Sequence, residues 1–213
     1  WCAEFCLFPN RTPGGSRIFA AIFLVFATIQ CALPAAELDL PPLRPPAVPL
    51  VTHDPYFSIW SPADKLTDAD TVHWTGKPHR LTSLVRIDGK AFRVMGKEPA
   101  DAPALPQTNL EVLPTRTIYT FEGAGVRLTL TFMTPALPDD IEILSRPVTY
   151  LTWTFQSLDG KRREVGLAFE ASGEIAANLP TQEVVSMTES LGDLTEAIVG
   201  TTEQPVLEKK GDD

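Results

Sequence analysis

Val126-Arg-Leu-Thr-Leu-Thr-Phe-Met-Thr134 alternates apolar and polar side chains: Val126, Leu128, Leu130 and Phe132 against Arg127, Thr129 and Thr131. A period of two sends successive side chains to opposite faces of a strand, so this stretch has one buried face and one solvated face. Glu122-Gly-Ala-Gly125 precedes it and signals a hairpin back to a strand at 115–121. Residues 163–171 alternate in the same way, with Val165, Leu167 and Phe169 opposed by Glu164 and Glu170.

The same signals extend outward in both directions. Upstream, 81–87 and 91–95 flank Asp88-Gly89, a dipeptide that supplies the positive φ values of a tight turn, and a strand is expected at 109–113. Downstream, 135–147 is a loop carrying Asp139-Asp140, 148–157 is a β-branched and aromatic strand, and Asp159-Gly160 turns it. Short strands are expected at 183–188 and 194–199. Strands of this length, spaced by turn signals, indicate an all-β sandwich or barrel, and no helix of more than two turns is expected.

Composition agrees. The chain has 213 residues, 44% hydrophobic and 21% charged, which is the balance of a globular protein and not of a disordered one. Twenty prolines argue against long helices, since each interior proline removes a hydrogen bond and crowds the preceding turn. A net charge of −9 argues against nucleic-acid binding, which needs a basic face.

The first 36 residues stand apart. Arg11 and Arg17 precede an apolar run at 18–29, and the small residues Ala32, Ala35 and Ala36 follow. A basic start, a short apolar core and a small-residue zone make a secretory signal peptide, and the run is shorter than the roughly 20 residues needed to span a bilayer. Residues 1–36 are therefore expected to be a signal helix (about 11–36) with upstream residues, and the protein to be secreted or periplasmic without stable membrane insertion. This segment holds all three cysteines, Cys2, Cys6 and Cys31, so the remainder has neither a disulfide nor a thiolate nucleophile. Residues 37–80 form a proline- and aromatic-rich lead-in, extended to Pro49 and then an irregular, well-ordered loop; 81–213 form the β domain, expected to be incomplete at its C-terminus.

Signatures of known chemistry are few. There is no Gly-x-Ser-x-Gly elbow, phosphate-binding loop or His-Glu-x-x-His. His73 and His79, six apart on a loop, are too loosely placed for a metal site, and no metal or cofactor is expected. Asp54 precedes Pro55 and reads first as a turn former, with acid–base work as the sharper alternative. The densest cluster is Tyr56, Phe57, Trp60, His73 and Trp74. Aromatics in such a segment line a pocket for a sugar or other small polar ligand, or plug the end of the β domain and dock it on a neighbour.

These same residues carry a family resemblance. Leu43-Arg-Pro-Pro-Ala-Val-Pro-Leu-Val-Thr-His-Asp-Pro-Tyr-Phe-Ser-Ile-Trp-Ser61, His73-Trp-Thr-Gly76, Val85-Arg-Ile-Asp-Gly89 and Phe92-Arg-Val-Met-Gly96 resemble the N-terminal region of the glutaminase A family. Leu130-Thr-Phe-Met-Thr-Pro-Ala-Leu-Pro-Asp-Asp140, Ser145-Arg-Pro-Val-Thr-Tyr-Leu-Thr-Trp153 and Ser157-Leu-Asp-Gly160 continue the match. The resemblance implies an antiparallel, supersandwich-like β-sandwich, followed in full members by a helical barrel resembling the six-hairpin glycosidases. It implies hydrolysis of L-glutamine to L-glutamate and ammonia in the full-length protein. On that basis this chain is expected to be the β portion, inactive alone and docking on a missing helical-barrel domain, with a small polar substrate. Asp54 and His73 are its polar candidates, and Tyr56, Phe57, Trp60 and Trp74 its ligand or interface residues. The alternatives are the same architecture in a glycoside hydrolase-like enzyme, or a stand-alone carbohydrate- or ligand-binding module.

Overall fold

A computed structural model describes residues 44–203. The expected signal segment, the start of the proline-rich lead-in and the last ten residues lie outside the described residues. Within them the chain is mostly β, its sheets are antiparallel, and helix is almost absent.

Two larger sheets account for most of it. The first has the order β5-β6-β7-β8, from Gln107–Leu113 (β5), Arg116–Gly123 (β6), Val126–Met133 (β7) and Tyr150–Ser157 (β8). The second has the order β4-β3-β9, from Leu81–Ile87 (β3), Lys90–Met95 (β4) and Val165–Ala171 (β9). The alternation in β7 does what its period requires: Val126, Leu128, Leu130 and Phe132 are buried, while Arg127 is exposed. Tyr119 and Phe121 of β6 join the same core, with ring centroids 6.3 Å apart, and Tyr119 meets Phe132 edge-on at 6.4 Å. Leu81, Val85 and Ile87 of β3 supply the core from the other sheet.

The tight turns follow from their residues. Asp88 and Gly89 both take positive φ (49° and 83°), as do Ala124 and Gly125 (49° and 76°). Two consecutive positive φ values describe the turn whose twist matches that of paired strands, so β3–β4 and β6–β7 are two-residue hairpins. Asp159-Gly160 does something else. β8 pairs with β7 and β9 pairs with β3, so this connection carries the chain from one sheet to the other. Arg163 pins the crossing by donating to the carboxylates of Asp88 (2.8 Å) and Asp159, which ties the ends of three connections together beside Gly125.

The lead-in departs from the expected loop. Val48–Thr52 (β1) and Ser58–Ser61 (β2) form a two-stranded antiparallel ladder, and Val48, Leu50, Val51 and Ile59 are buried in the main core. Proline hid the strand from the sequence pattern: Pro49 sits at an irregularity in the ladder, where no backbone donor is needed. Thr117 of β6 donates to the Pro49 carbonyl at 2.6 Å and fixes the ladder to the larger sheet.

The loop at 135–147 contains one short helix, Ile141–Leu144 (α1), whose N-cap is Asp140. The Asp140 carboxylate accepts from the backbone of Glu142 and Ile143 at 3.1 Å each. The chain then closes with a ribbon, Val184–Leu191 (β10) and Leu194–Thr201 (β11), longer than the two strands expected there and turned at Gly192 (φ 64°). Among the described residues no helix is long and apolar enough to cross a membrane.

Candidate functional site

The aromatic cluster is organised by the loop between β1 and β2. Asp54 starts it: its carboxylate accepts from the backbone N–H of Tyr56 (2.7 Å) and Phe57 (3.0 Å), a turn that an aspartate before proline favours. The turn leaves the Pro55 carbonyl free to accept, and two side chains from 18 and 19 residues downstream use it. His73 donates through Nε2 at 3.0 Å and Trp74 through its indole N–H at 2.6 Å. Because a carbonyl can only accept, His73 Nε2 carries the hydrogen. Its Nδ1 then accepts, with the Thr75 hydroxyl at 2.8 Å and the Thr75 backbone N–H at 3.3 Å.

The two predicted polar candidates are engaged to different degrees. Asp54 holds the turn through Oδ1 alone and is exposed on the cleft, whereas His73 is buried with both ring nitrogens used. The four predicted aromatics divide. Tyr56 and Trp74 are 62% and 56% exposed, whereas Phe57 packs against the core and Trp60 is half-buried on β2. The Trp60 indole N–H donates to Ser58 at 3.1 Å, so the indole nitrogens of both tryptophans are tied internally. What they offer a ligand is ring face.

Thr52, His53, Asp54, Pro55, Ser58, Trp60 and Trp74 enclose an open cleft of about 360 Å³. His53 is the residue that sequence reasoning passed over. Its ring stacks on Phe57 (5.3 Å, 11° between planes), and its Nε2 lies 2.9 Å from the Thr149 hydroxyl, which in turn lies 2.6 Å from that of Thr134. Burial holds the His53 imidazole below its ordinary value of 6.5, against opposing pulls from Asp54 and from the Val148 backbone. Nothing local announces this role, since Thr149 is 96 positions away. His79 is buried with its ring 5.1 Å from that of His73, and is also held below 6.5, chiefly by burial and then by His73 and Lys77, with Glu174 opposing. Among the described residues no group of three or more His, Cys, Asp or Glu side chains is placed to hold a metal ion.

Two family models match successive stretches of the chain. Residues 30–106 match the family described as "Domain of unknown function (DUF4964)", and residues 115–213 match "Domain of unknown function (DUF5127)". Glutaminase A of Aspergillus oryzae (strain ATCC 42149 / RIB 40) is 30% identical over 144 residues. The chain is a distant homologue of glutaminase A, related to its N-terminal domains. The matched segment is 64% of this chain and 21% of that relative, so the chain spans about a fifth of the length of the curated protein it matches. No solved structure matches.

Proposed function

We propose that this chain is the N-terminal β portion of a secreted glutaminase-type amidohydrolase, which in its complete form converts L-glutamine and water to L-glutamate and ammonia. Its two larger sheets are the layers of a supersandwich-like β-sandwich. The chain is non-catalytic alone, and its aromatic lip faces a helical-barrel region of the same polypeptide. Homology to glutaminase A is the observation that carries this reading.

The cleft supports the placement of the lip. Trp74 and Tyr56 are half or more exposed, yet the Trp74 ring is anchored by its hydrogen bond to Pro55, a rigid apolar surface left uncovered. Amide hydrolysis needs an activated water and donors for the developing oxyanion. With Asp54 and His73 both engaged in the loop, those groups belong to the facing region, and the lip contributes shape and water exclusion.

The test is turnover. The polypeptide expressed from the complete reading frame should release ammonia from glutamine, and the 213-residue chain should not. Trp74→Ala in the complete polypeptide should raise KM with a smaller change in kcat. Release of reducing sugar without release of ammonia would replace this reading with the glycoside one. That second reading is favoured by one observation: two tryptophans whose N–H groups are tied internally present the bare ring faces on which sugars stack.

A further inference from the structure

Taking as given the reading above that the chain belongs to a longer polypeptide, we infer that the core is closed along β8 and β9 by further antiparallel strands of that polypeptide, which extend both sheets. This seam is separate from the aromatic lip.

Register identifies the open side. In the β3–β9 ladder, Ser83 and Val85 lie opposite Phe169 and Leu167. Residues directly opposite in an antiparallel pair share a face, and that face of β3 is fully buried. Leu167 and Phe169 therefore point inward, yet they are 44% and 43% exposed. β8 repeats the pattern. Leu151, Trp153 and Phe155 lie opposite Phe132, Leu130 and Leu128, which are fully buried, but are themselves only partly covered. The rings of Trp153 and Phe169 lie 5.5 Å apart, so apolar packing runs unbroken from one sheet to the other at the place where it is open.

One further observation gives the chemistry of what covers it. β8 and β9 are the terminal strands of their sheets among the described residues, so each presents an unpaired backbone edge beside its uncovered side chains. A matching occupant is strand-forming and carries apolar side chains at alternate positions. Length supplies the source: the matched 144 residues are 21% of glutaminase A, so a protein of that kind has several times as much chain outside this region.

Hydrogen exchange separates this seam from the lip. In the complete polypeptide, amides within 150–157 and 165–171 should exchange about tenfold or more slowly than in the 213-residue chain. The double variant Leu167→Glu, Phe169→Glu should abolish that added protection in the complete polypeptide, and should lower the melting temperature of the 213-residue chain by only about 4–8 °C, leaving it folded. Edges that stay equally fast in the complete polypeptide overturn the inference. So does protection already present in the 213-residue chain, whether independent of concentration (its own residues 204–213 closing the seam) or rising with concentration (a second copy). If glutamine is hydrolysed while the edges stay fast, this inference alone fails; if the edges slow and no ammonia is released, only the assigned activity fails.

Discussion

β7 and β9 are written in the same alphabet and end in different surroundings. β7 alternates apolar and polar residues, β9 sets Val165, Leu167 and Phe169 on one face, and in both strands that face lies opposite buried core residues of the neighbouring strand. β7 lies between β6 and β8, and its Leu128, Leu130 and Phe132 are sealed. Among the described residues β9 has a neighbour on one side, and its inward Leu167 and Phe169 remain more than two-fifths exposed. Alternation reports which face of a strand looks inward. It carries no information on whether a neighbour covers that face.

Truncation of aromatic residues should widen this contrast most. Phe132→Ala leaves a cavity in a packed core and should cost about 3–5 kcal/mol in urea unfolding. Phe169→Ala removes a ring that is only partly desolvated and should cost about 1 kcal/mol. Equal losses would mean that β9 is as enclosed as β7, and the contrast would collapse.

The turn at the head of β7 comes next. Gly125 has φ 76°, and a side-chain carbon there would run into the Arg163 guanidinium, which Asp88 and Asp159 hold in place. Gly125→Ala should therefore cost about 1–3 kcal/mol through backbone strain, measured by thermal unfolding. Because it also dislodges Arg163, it should speed hydrogen exchange at the start of β9 more than at the centre of β7.

Acid should act in two separated steps. His53 and His79 are held below 6.5 in the folded chain, so the unfolded chain takes up protons first as pH falls below that value. Their contribution is complete above pH 6.5 and is lost as pH falls through the range beneath it. Asp88, Asp159 and Glu174 are held below their ordinary values of 3.8, 3.8 and 4.5, first by the side-chain hydrogen bond of Arg163 at Asp88, the backbone of Lys161 at Asp159 and the side-chain hydrogen bond of Arg80 at Glu174. Their stabilisation is present above those values and is lost only as pH falls below them. Melting temperature should thus drop once near pH 6 and again near pH 4, and His79→Gln should shrink the first drop and spare the second. A single drop near pH 4 would remove the histidines from the account.

The smallest expected effect is a gain. Ala124 sits at φ 49° in the β6–β7 turn, a conformation that asparagine tolerates better than alanine. Ala124→Asn should stabilise by about 0.5 kcal/mol, read as an upward shift in melting temperature.

Much of the chain was legible without coordinates where the signal is local. The strands around β3, β4, β6 and β7, and the two hairpin turns between them, follow from alternation and from glycine at the positions that need positive φ. The β1–β2 ladder was not legible, because Pro45, Pro46 and Pro49 mask a strand whose burial depends on β6. At the site, the aromatic cluster was legible as a cluster. Its division into exposed and interior rings was not, and neither was the engagement of Asp54 and His73 within the loop. His53 could not be singled out at all, since its partners Thr149 and Thr134 come from the far end of another sheet.

By itself the sequence determined that this protein is built of short antiparallel strands, where most of them turn, and which side chains face inward, because pleat geometry and backbone sterics act between near neighbours. Tertiary structure alone decided that Asp159-Gly160 crosses between sheets and does not close a hairpin, that Pro55 gathers His73 and Trp74, and that β9 lies at a sheet edge among the described residues. Each depends on which distant strand arrives as a neighbour, and a backbone edge offers the same donors and acceptors to every strand that could pair with it.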